Sequence, residues 1–192
     1  IFVENINEMP YVKKPLVPLV EGIQNRISVE IARGCTHSCR FCLAGITYRP
    51  VRNRTIEKIV DIAMESLEAT GANTLNLFSL SADDYPHIGE LIEYLQTLGE
   101  HKGFSLSLPS LRIDSFDKET AERIAQFRKT GLTFALEVGS HELREKINKS
   151  MDEDAIYNIL ADVQKMGWKI VKIYFMIGFT DNPEKEADEI IE

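Results

Sequence analysis

All three cysteines of this 192-residue chain fall in one short run, Cys35-Thr36-His37-Ser38-Cys39-Arg40-Phe41-Cys42, spaced C-x-x-x-C-x-x-C directly after an apolar stretch. Three thiolates within eight residues can converge on one small inorganic centre without help from distant chain. A tetrahedral structural zinc site or an electron-transfer 4Fe–4S cluster takes four protein ligands. Three thiolates on a cubane leave one iron with an open position, which chemistry requires and a structural site does not. The competing reading is a zinc site with His37 as the fourth ligand; the Cys-x-His-x-Cys interval crowds the ligands, and no second cysteine pair follows. A disulfide fits worse, because three is odd and nothing points to secretion.

The elements that must position this loop follow a regular pattern from Arg26 onward. Gly71, Gly103, Gly131 and Gly167 each end a helical stretch and are followed by a strand-like run. The runs are Thr74–Leu80, Phe104–Leu108, Leu132–Val138 and Trp168–Ile177, and Arg26–Gly34 supplies a fifth ahead of the cysteines. A residue just past a helix end adopts positive φ, which glycine does without strain. Start signals lie between them: Thr55, a capping box of Ser150 with Glu153, and Asn182 before Pro183. Ile59–Ile62–Ala63–Leu67 and Ile156–Ile159–Leu160–Val163 repeat at helical spacing. Strand then helix, repeated, predicts βα units and a parallel sheet. The strands alternate, with Leu132, Phe134, Leu136 and Val138 on one face and Thr133, Ala135 and Glu137 on the other. Glu30, Ser105, Ser107, Lys172 and Tyr174 fall on the same polar side, which suits an open barrel that holds a ligand; an antiparallel sheet with one wet face gives the same alternation but fits the intervening helices poorly.

At 192 residues, residues 26–192 are expected to form one domain, with residues 1–25 an extended arm or linker carrying Pro10, Pro15 and Pro18. The chain begins at Ile1 and stops inside a pattern at Ile190-Ile191-Glu192, which reads as a piece of a longer protein. No apolar run approaches the ~20 residues of a membrane span, and no signal-peptide pattern opens the chain. A reducing cytoplasm suits a cluster with an exposed iron edge. The net charge of −8 argues against non-specific nucleic-acid binding. Residues 26–55 nevertheless hold six arginines against Glu30 alone. That charge either compensates an anionic centre or contacts an anionic substrate such as RNA, with Arg49, Arg52 and Arg54 as the contacts.

The cysteine spacing, with Phe41 before the last cysteine and the loop following a strand, resembles the radical S-adenosylmethionine (radical SAM) superfamily from about residue 26 onward. The resemblance implies an α/β fold: an open, partial parallel (βα) barrel with about five βα units present and the last strand missing. It implies that Cys35, Cys39 and Cys42 ligate a 4Fe–4S cluster whose open iron binds S-adenosylmethionine. One electron then cleaves the sulfonium to a 5′-deoxyadenosyl radical that abstracts hydrogen from an unknown substrate. Phe41 would pack beside the cofactor. Ser79 and Ser81 stand where the family often has a Gly-Gly-Glu-like turn for the cofactor's amino group. Arg112, in Leu108–Ser115, resembles a segment of cobalamin-binding and methylthiotransferase-like members. Glu137-Val138-Gly139-Ser140 is similar to a Glu-Ser-Gly-Ser turn, implying that Glu137 and Ser140 meet the ribose or amine; a structural pair of Glu137 with Lys172 is the alternative. Met176-Ile177-Gly178 resembles a turn flanking the adenine, implying Ile177 and Gly178 as contacts. The nearest likeness is to uncharacterised members with an upstream cobalamin-binding-like region. Cobalamin in a domain outside this chain, a donor such as flavodoxin or ferredoxin, and RNA modification or methyl or methylthio transfer are expectations from it. A non-catalytic iron–sulfur redox or binding module is the rival.

Overall fold

The computed structural model describes residues 3–20, 25–107, 112–113, 122 and 132–191. In chain order its elements are β1 (Ile27–Glu30), β2 (Ala32–Arg33), α1 (Ala44–Thr47), β3 (Arg52–Asn53), α2 (Ile56–Thr70), β4 (Thr74–Phe78), α3 (Ile88–Lys102), β5 (Ser105–Ser107), β6 (Leu132–Glu137), α4 (His141–Lys146), α5 (Glu153–Lys165), β7 (Val171–Phe175) and α6 (Pro183–Ile191). They fall into two compact units, Ile1–Gly34 with Pro50–Pro109, and Cys35–Arg49 with Ser110–Glu192.

The first unit is built on a parallel sheet of order β1-β4-β5, with Ile27 beside Leu75 and Leu75 beside Leu106. The alternation in the sequence sets its faces. Val29, Leu75 and Leu77 are buried against Ile59, Ala63 and Leu67 of α2 and Leu91 and Leu95 of α3 in one apolar cluster. The opposite face is polar: Asn76 donates to Ser28 Oγ at 3.3 Å, and the Thr74 and Ser105 hydroxyls lie 3.3 Å apart. Thr55 caps α2 by accepting from the Lys58 amide, and Gly71 closes it at φ 69°. A short antiparallel ribbon of β2 with β3, which the sequence does not foretell, follows the β1 end.

The amino-terminal segment carries no helix or strand among its described residues, yet Ile6 is fully buried and Tyr11 donates to Glu65 at 2.5 Å. Arginine side chains tie it down. Arg54 is 5 % exposed, its guanidinium donating to the carbonyls of Glu30 (2.9 Å) and Ile6 and standing 3.7 Å from the Glu30 carboxylate. Arg33 grips the same carboxylate through two bonds, of 2.7 and 2.6 Å. Arg52 donates to Val3 O at 2.9 Å and Pro50 O at 3.0 Å. The expectation that Arg52 and Arg54 reach RNA draws no support from this geometry: both guanidinium groups donate to the protein's own carbonyls.

In the second unit β6 and β7 are parallel, with Leu132 beside Val171 and a register shift between Ala135 and Glu137. Leu132, Phe134 and Leu136 are buried, while Thr133, Ala135 and Glu137 on the other face are half-buried, as the alternation requires. β7 starts at Val171, later than expected, and Trp168 ahead of it is buried in the approach to the strand. Asp152 caps α5 by accepting from the Asp154 amide at 3.2 Å, in place of the expected Ser150, whose hydroxyl is bound to Glu145. Asn182 accepts from Lys185 N at 3.1 Å at the start of α6, as anticipated. The five expected strands are present and no closed barrel is found among the described residues; the helix expected to end at Gly131 lies outside them.

Arg54→Ser leaves Glu30 half-answered and two buried carbonyls short of a donor, so it should cost about 3 kcal/mol. Denaturant unfolding of the two proteins checks this; a loss under ~0.5 kcal/mol, the size for an ordinary surface site, would contradict it.

Candidate metal centre

The cysteine loop leaves Gly34 and runs into the single turn of α1, with little regular backbone bonding of its own beyond the Cys42 amide to Cys39 O at 3.0 Å. Side chains from elsewhere in the second unit hold it. Arg49 Nη2 donates to Thr36 O (3.2 Å), His37 O (3.3 Å) and Ser38 Oγ (2.7 Å). Asn148 Nδ2 donates to Ser38 O at 2.9 Å. The Arg40 amide donates to Ile147 O at 2.9 Å, and its guanidinium to Lys146 O. Gly45 in α1 passes so close to the loop that a Cβ would stand 2.9 Å from His37 O. Arg49, like Arg52 and Arg54, is thus engaged with the protein's own acceptors, and its geometry lends no support to an RNA contact.

All three cysteines are half-buried, and none is in a disulfide. Arg112 Nη1 lies 3.8 Å from Cys39 Sγ, a cation against a sulfur that must be a thiolate to ligate metal. Three accessible thiols on one braced loop, one beside a guanidinium, are a donor set that fits an iron–sulfur cluster. Phe41 is 38 % exposed and packs edge-on to Phe179, with ring centroids 5.9 Å apart.

Glu137 ends β6 at φ 75°, a left-handed conformation rare outside glycine and a mark of local strain. Its carboxylate accepts from Lys149 Nζ at 2.7 Å, its carbonyl accepts from Met176 N at 2.7 Å, and Lys149, 5 % exposed, also donates to Ala135 O at 2.7 Å. The pairing alternative named the wrong lysine: Lys172 is exposed and sits beside Thr133 in the register. Lys149 lies twelve residues from Glu137, beyond α4, and no short-range spacing announces it. Ser140 precedes α4 in extended backbone with no side-chain cap bond. Ser79 and Ser81 belong to the first unit, where Ser79 Oγ accepts from Ser81 N at 3.1 Å and Ser81 Oγ lies 3.2 Å from Asp83.

Ile177 is exposed and Gly178 takes φ 107° at the turn after β7. No local sequence pattern foretells what holds that turn. Glu186, from α6, accepts from the amides of Gly178 (2.7 Å), Phe179 (3.2 Å) and Thr180 (2.5 Å) and from the Thr180 hydroxyl (2.6 Å). These donors, the Thr180 hydroxyl foremost, outweigh burial and hold its carboxyl at a pKa of about 2.

Parallel βα units carrying a three-cysteine loop ahead of the first long helix are an arrangement suited to an iron–sulfur domain. The model of the Radical SAM superfamily matches residues 29–192, and the chain belongs to that superfamily, whose members use a 4Fe–4S cluster and S-adenosylmethionine. An uncharacterised protein of Methanocaldococcus jannaschii, MJ0966, is 35 % identical over 163 residues, covering 85 % of this chain and 35 % of that protein. A ribosomal protein uS12 methylthiotransferase, RimO, of Thermoanaerobacter is 22 % identical over 188 residues, covering 88 % of this chain and 42 % of the relative. The chain thus spans well under half the length of these relatives. Among solved structures, the radical SAM methyltransferase TsrM of Kitasatospora setae superposes with a TM-score of 0.66 at 17 % identity, over 87 % of this chain and 34 % of TsrM. The cobalamin-dependent radical SAM enzyme OxsB gives a TM-score of 0.59 at 18 % identity, over 84 % of this chain and 26 % of OxsB. No helix among the described residues is long and apolar enough to cross a membrane.

Because the Glu186 carboxyl is held below its ordinary value of 4.5, its contribution is whole above about pH 5 and is lost as the pH falls from 4.5 through about 2. The stability difference between wild type and Glu186→Gln should therefore shrink steadily over that interval. Unfolding curves measured from pH 6 down to pH 2 read it directly; a difference independent of pH would show the carboxylate charge to be irrelevant to the turn.

Proposed function

We propose that residues 26–192 form the catalytic core of a radical SAM enzyme, with residues 1–25 its amino-terminal arm, and that Cys35, Cys39 and Cys42 ligate its 4Fe–4S cluster. The observation that carries this reading is the cysteine loop itself: three half-buried cysteines, none in a disulfide, on a segment braced by Arg49 and Asn148, with Arg112 beside Cys39. The chemistry supplied by the bound cluster and cofactor is one-electron cleavage of the sulfonium, which generates a hydrogen-abstracting radical.

The remaining roles belong to this chain's side chains. Glu137 offers a carboxylate at the C-terminal end of β6, the end at which βα folds carry their chemistry. Lys149 holds that carboxylate by one oxygen, and the other is suited to accept from ribose hydroxyls or an amine. Ser140, Ile177 and Gly178 border the same ends of β6 and β7, and Glu186 fixes the backbone that presents Ile177 and Gly178. Phe41 joins this group through its contact with Phe179. Arg112 places a positive charge against the ligand set. Ser79 and Ser81 spend their hydroxyls within their own turn, which favours a turn-shaping role over direct contact.

Methyl or methylthio transfer is the reaction class that the methylthiotransferase relatives favour, with cobalamin, if used, bound outside this chain. A reducing compartment such as the cytoplasm, with a flavodoxin- or ferredoxin-like electron donor, suits an open iron. An RNA substrate draws no support from Arg49, Arg52 or Arg54, which are engaged internally.

Anaerobically reconstituted protein given dithionite and S-adenosylmethionine should release methionine and 5′-deoxyadenosine, and Cys39→Ala should release none and lose the cluster absorbance while keeping its fold. A fully loaded wild-type protein that releases neither would be a redox or binding module instead. Glu137→Gln keeps an acceptor for Lys149 and should leave cluster content unchanged. Loss of one charge-assisted bond should weaken cofactor binding by about one to two orders of magnitude. Titration calorimetry decides it: wild-type affinity in Glu137→Gln removes the carboxylate from the cofactor site.

A further inference from the structure

The corner after α4, Lys146-Ile147-Asn148-Lys149, touches both halves of the proposed site. On one side it grips the two residues flanking Cys39. Asn148 Nδ2 donates to Ser38 O at 2.9 Å, Ile147 O accepts from the Arg40 amide at 2.9 Å, and Lys146 O accepts from the Arg40 guanidinium. On the other side Lys149 Nζ holds the Glu137 carboxylate and Ala135 O, each at 2.7 Å. The corner is itself stiff. The Asn148 amide bonds to Glu145 O at 3.0 Å and that of Lys149 to Arg144 O at 2.9 Å, while Ile147 is buried with Val138 and Leu143.

We infer that this corner is a positioning element that fixes the Cys39 segment of the cluster loop relative to the Glu137 carboxylate, with Asn148 the positioning residue on the cluster side and Lys149 on the cofactor side. The inference rests on the reading of Cys39 as a cluster ligand and of Glu137 as a cofactor anchor.

The competing explanation is local. Asn148 has φ 57°, and asparagine in that conformation commonly stops a helix. A helix stop, however, needs only the backbone. The side chain of Asn148 instead spans 110 residues of sequence to reach the cluster loop, at a carbonyl adjacent to Cys39. The two roles separate in Asn148→Gly: glycine takes positive φ more easily than asparagine, so the stop survives while the bridge is lost. Arg40→Ala removes a second strand of the same bracket without touching the corner's backbone, and serves if the glycine variant folds poorly.

The test uses the full-length protein, reconstituted anaerobically with iron and sulfide, and follows extraction of iron by a chelator beside the electron paramagnetic resonance spectrum of the reduced cluster. Asn148→Gly should melt within a few degrees of wild type yet surrender iron about tenfold faster, the equivalent of one hydrogen bond of about 1.4 kcal/mol, with a broadened spectrum. Arg40→Ala should shift in the same direction. Lys149→Met should keep iron at the wild-type rate and bind S-adenosylmethionine more weakly, separating the two sides of the corner. Wild-type iron retention and an unchanged spectrum in both Asn148→Gly and Arg40→Ala would overturn the inference. A wild-type protein that takes up no cluster would overturn it together with the reading on which it rests.

Discussion

A cubane held by three thiolates has one iron that must complete its coordination from outside the protein. That shortfall only has use if the three sulfurs stay where they are when the fourth position empties and fills. A loop of Thr, His, Ser and Arg between cysteines has no regular backbone pattern to supply such rigidity. The chain supplies it from side chains instead: Arg49 spans three groups of the loop, Asn148 takes the carbonyl next to Cys39, and Gly45 lets α1 approach within a distance that a methyl group would forbid. Buried or half-buried carbonyls need donors, and here the donors come from guanidinium and amide groups that also hold the loop in shape.

The concentration of arginine around the cysteines has the same explanation. Arg33 and Arg54 meet on Glu30, Arg54 and Arg52 fasten the amino-terminal segment, Arg40 and Arg49 fasten the cysteine loop, and Arg112 faces Cys39. A guanidinium can serve several acceptors at once in a fixed plane, which suits irregular backbone better than lysine would. Positive charge and loop architecture are thus two aspects of the same residues.

The sequence was most legible where a local rule decides. Thr55 before α2, Gly71 and Gly103 after their helices, and the alternation of Leu132–Val138 are each consequences of backbone geometry within a few residues. The cysteine triplet stands out in the sequence because metal chemistry constrains residue type and count. The rest needed tertiary structure. Lys149 was missed and Lys172 suggested because strand parity can name residues on one face, but a chain returning from a helix can insert a nearer partner. Glu186 reads as one more acid on an acidic helix, and only the fold reveals that four donors surround it. The arginines looked like a surface patch because composition reports charge without direction.

With Cys35, Cys39 and Cys42 as the only protein ligands, one iron of the cluster stays open for S-adenosylmethionine. Mössbauer spectroscopy of protein reconstituted with iron-57, recorded before and after adding S-adenosylmethionine, tests it most directly. One iron site in four should change its isomer shift on addition while the other three hold theirs, and Cys35→Ala, Cys39→Ala and Cys42→Ala should each fail to give the four-iron spectrum. Four sites that all ignore S-adenosylmethionine, or a loop that takes up zinc and no iron, would contradict it.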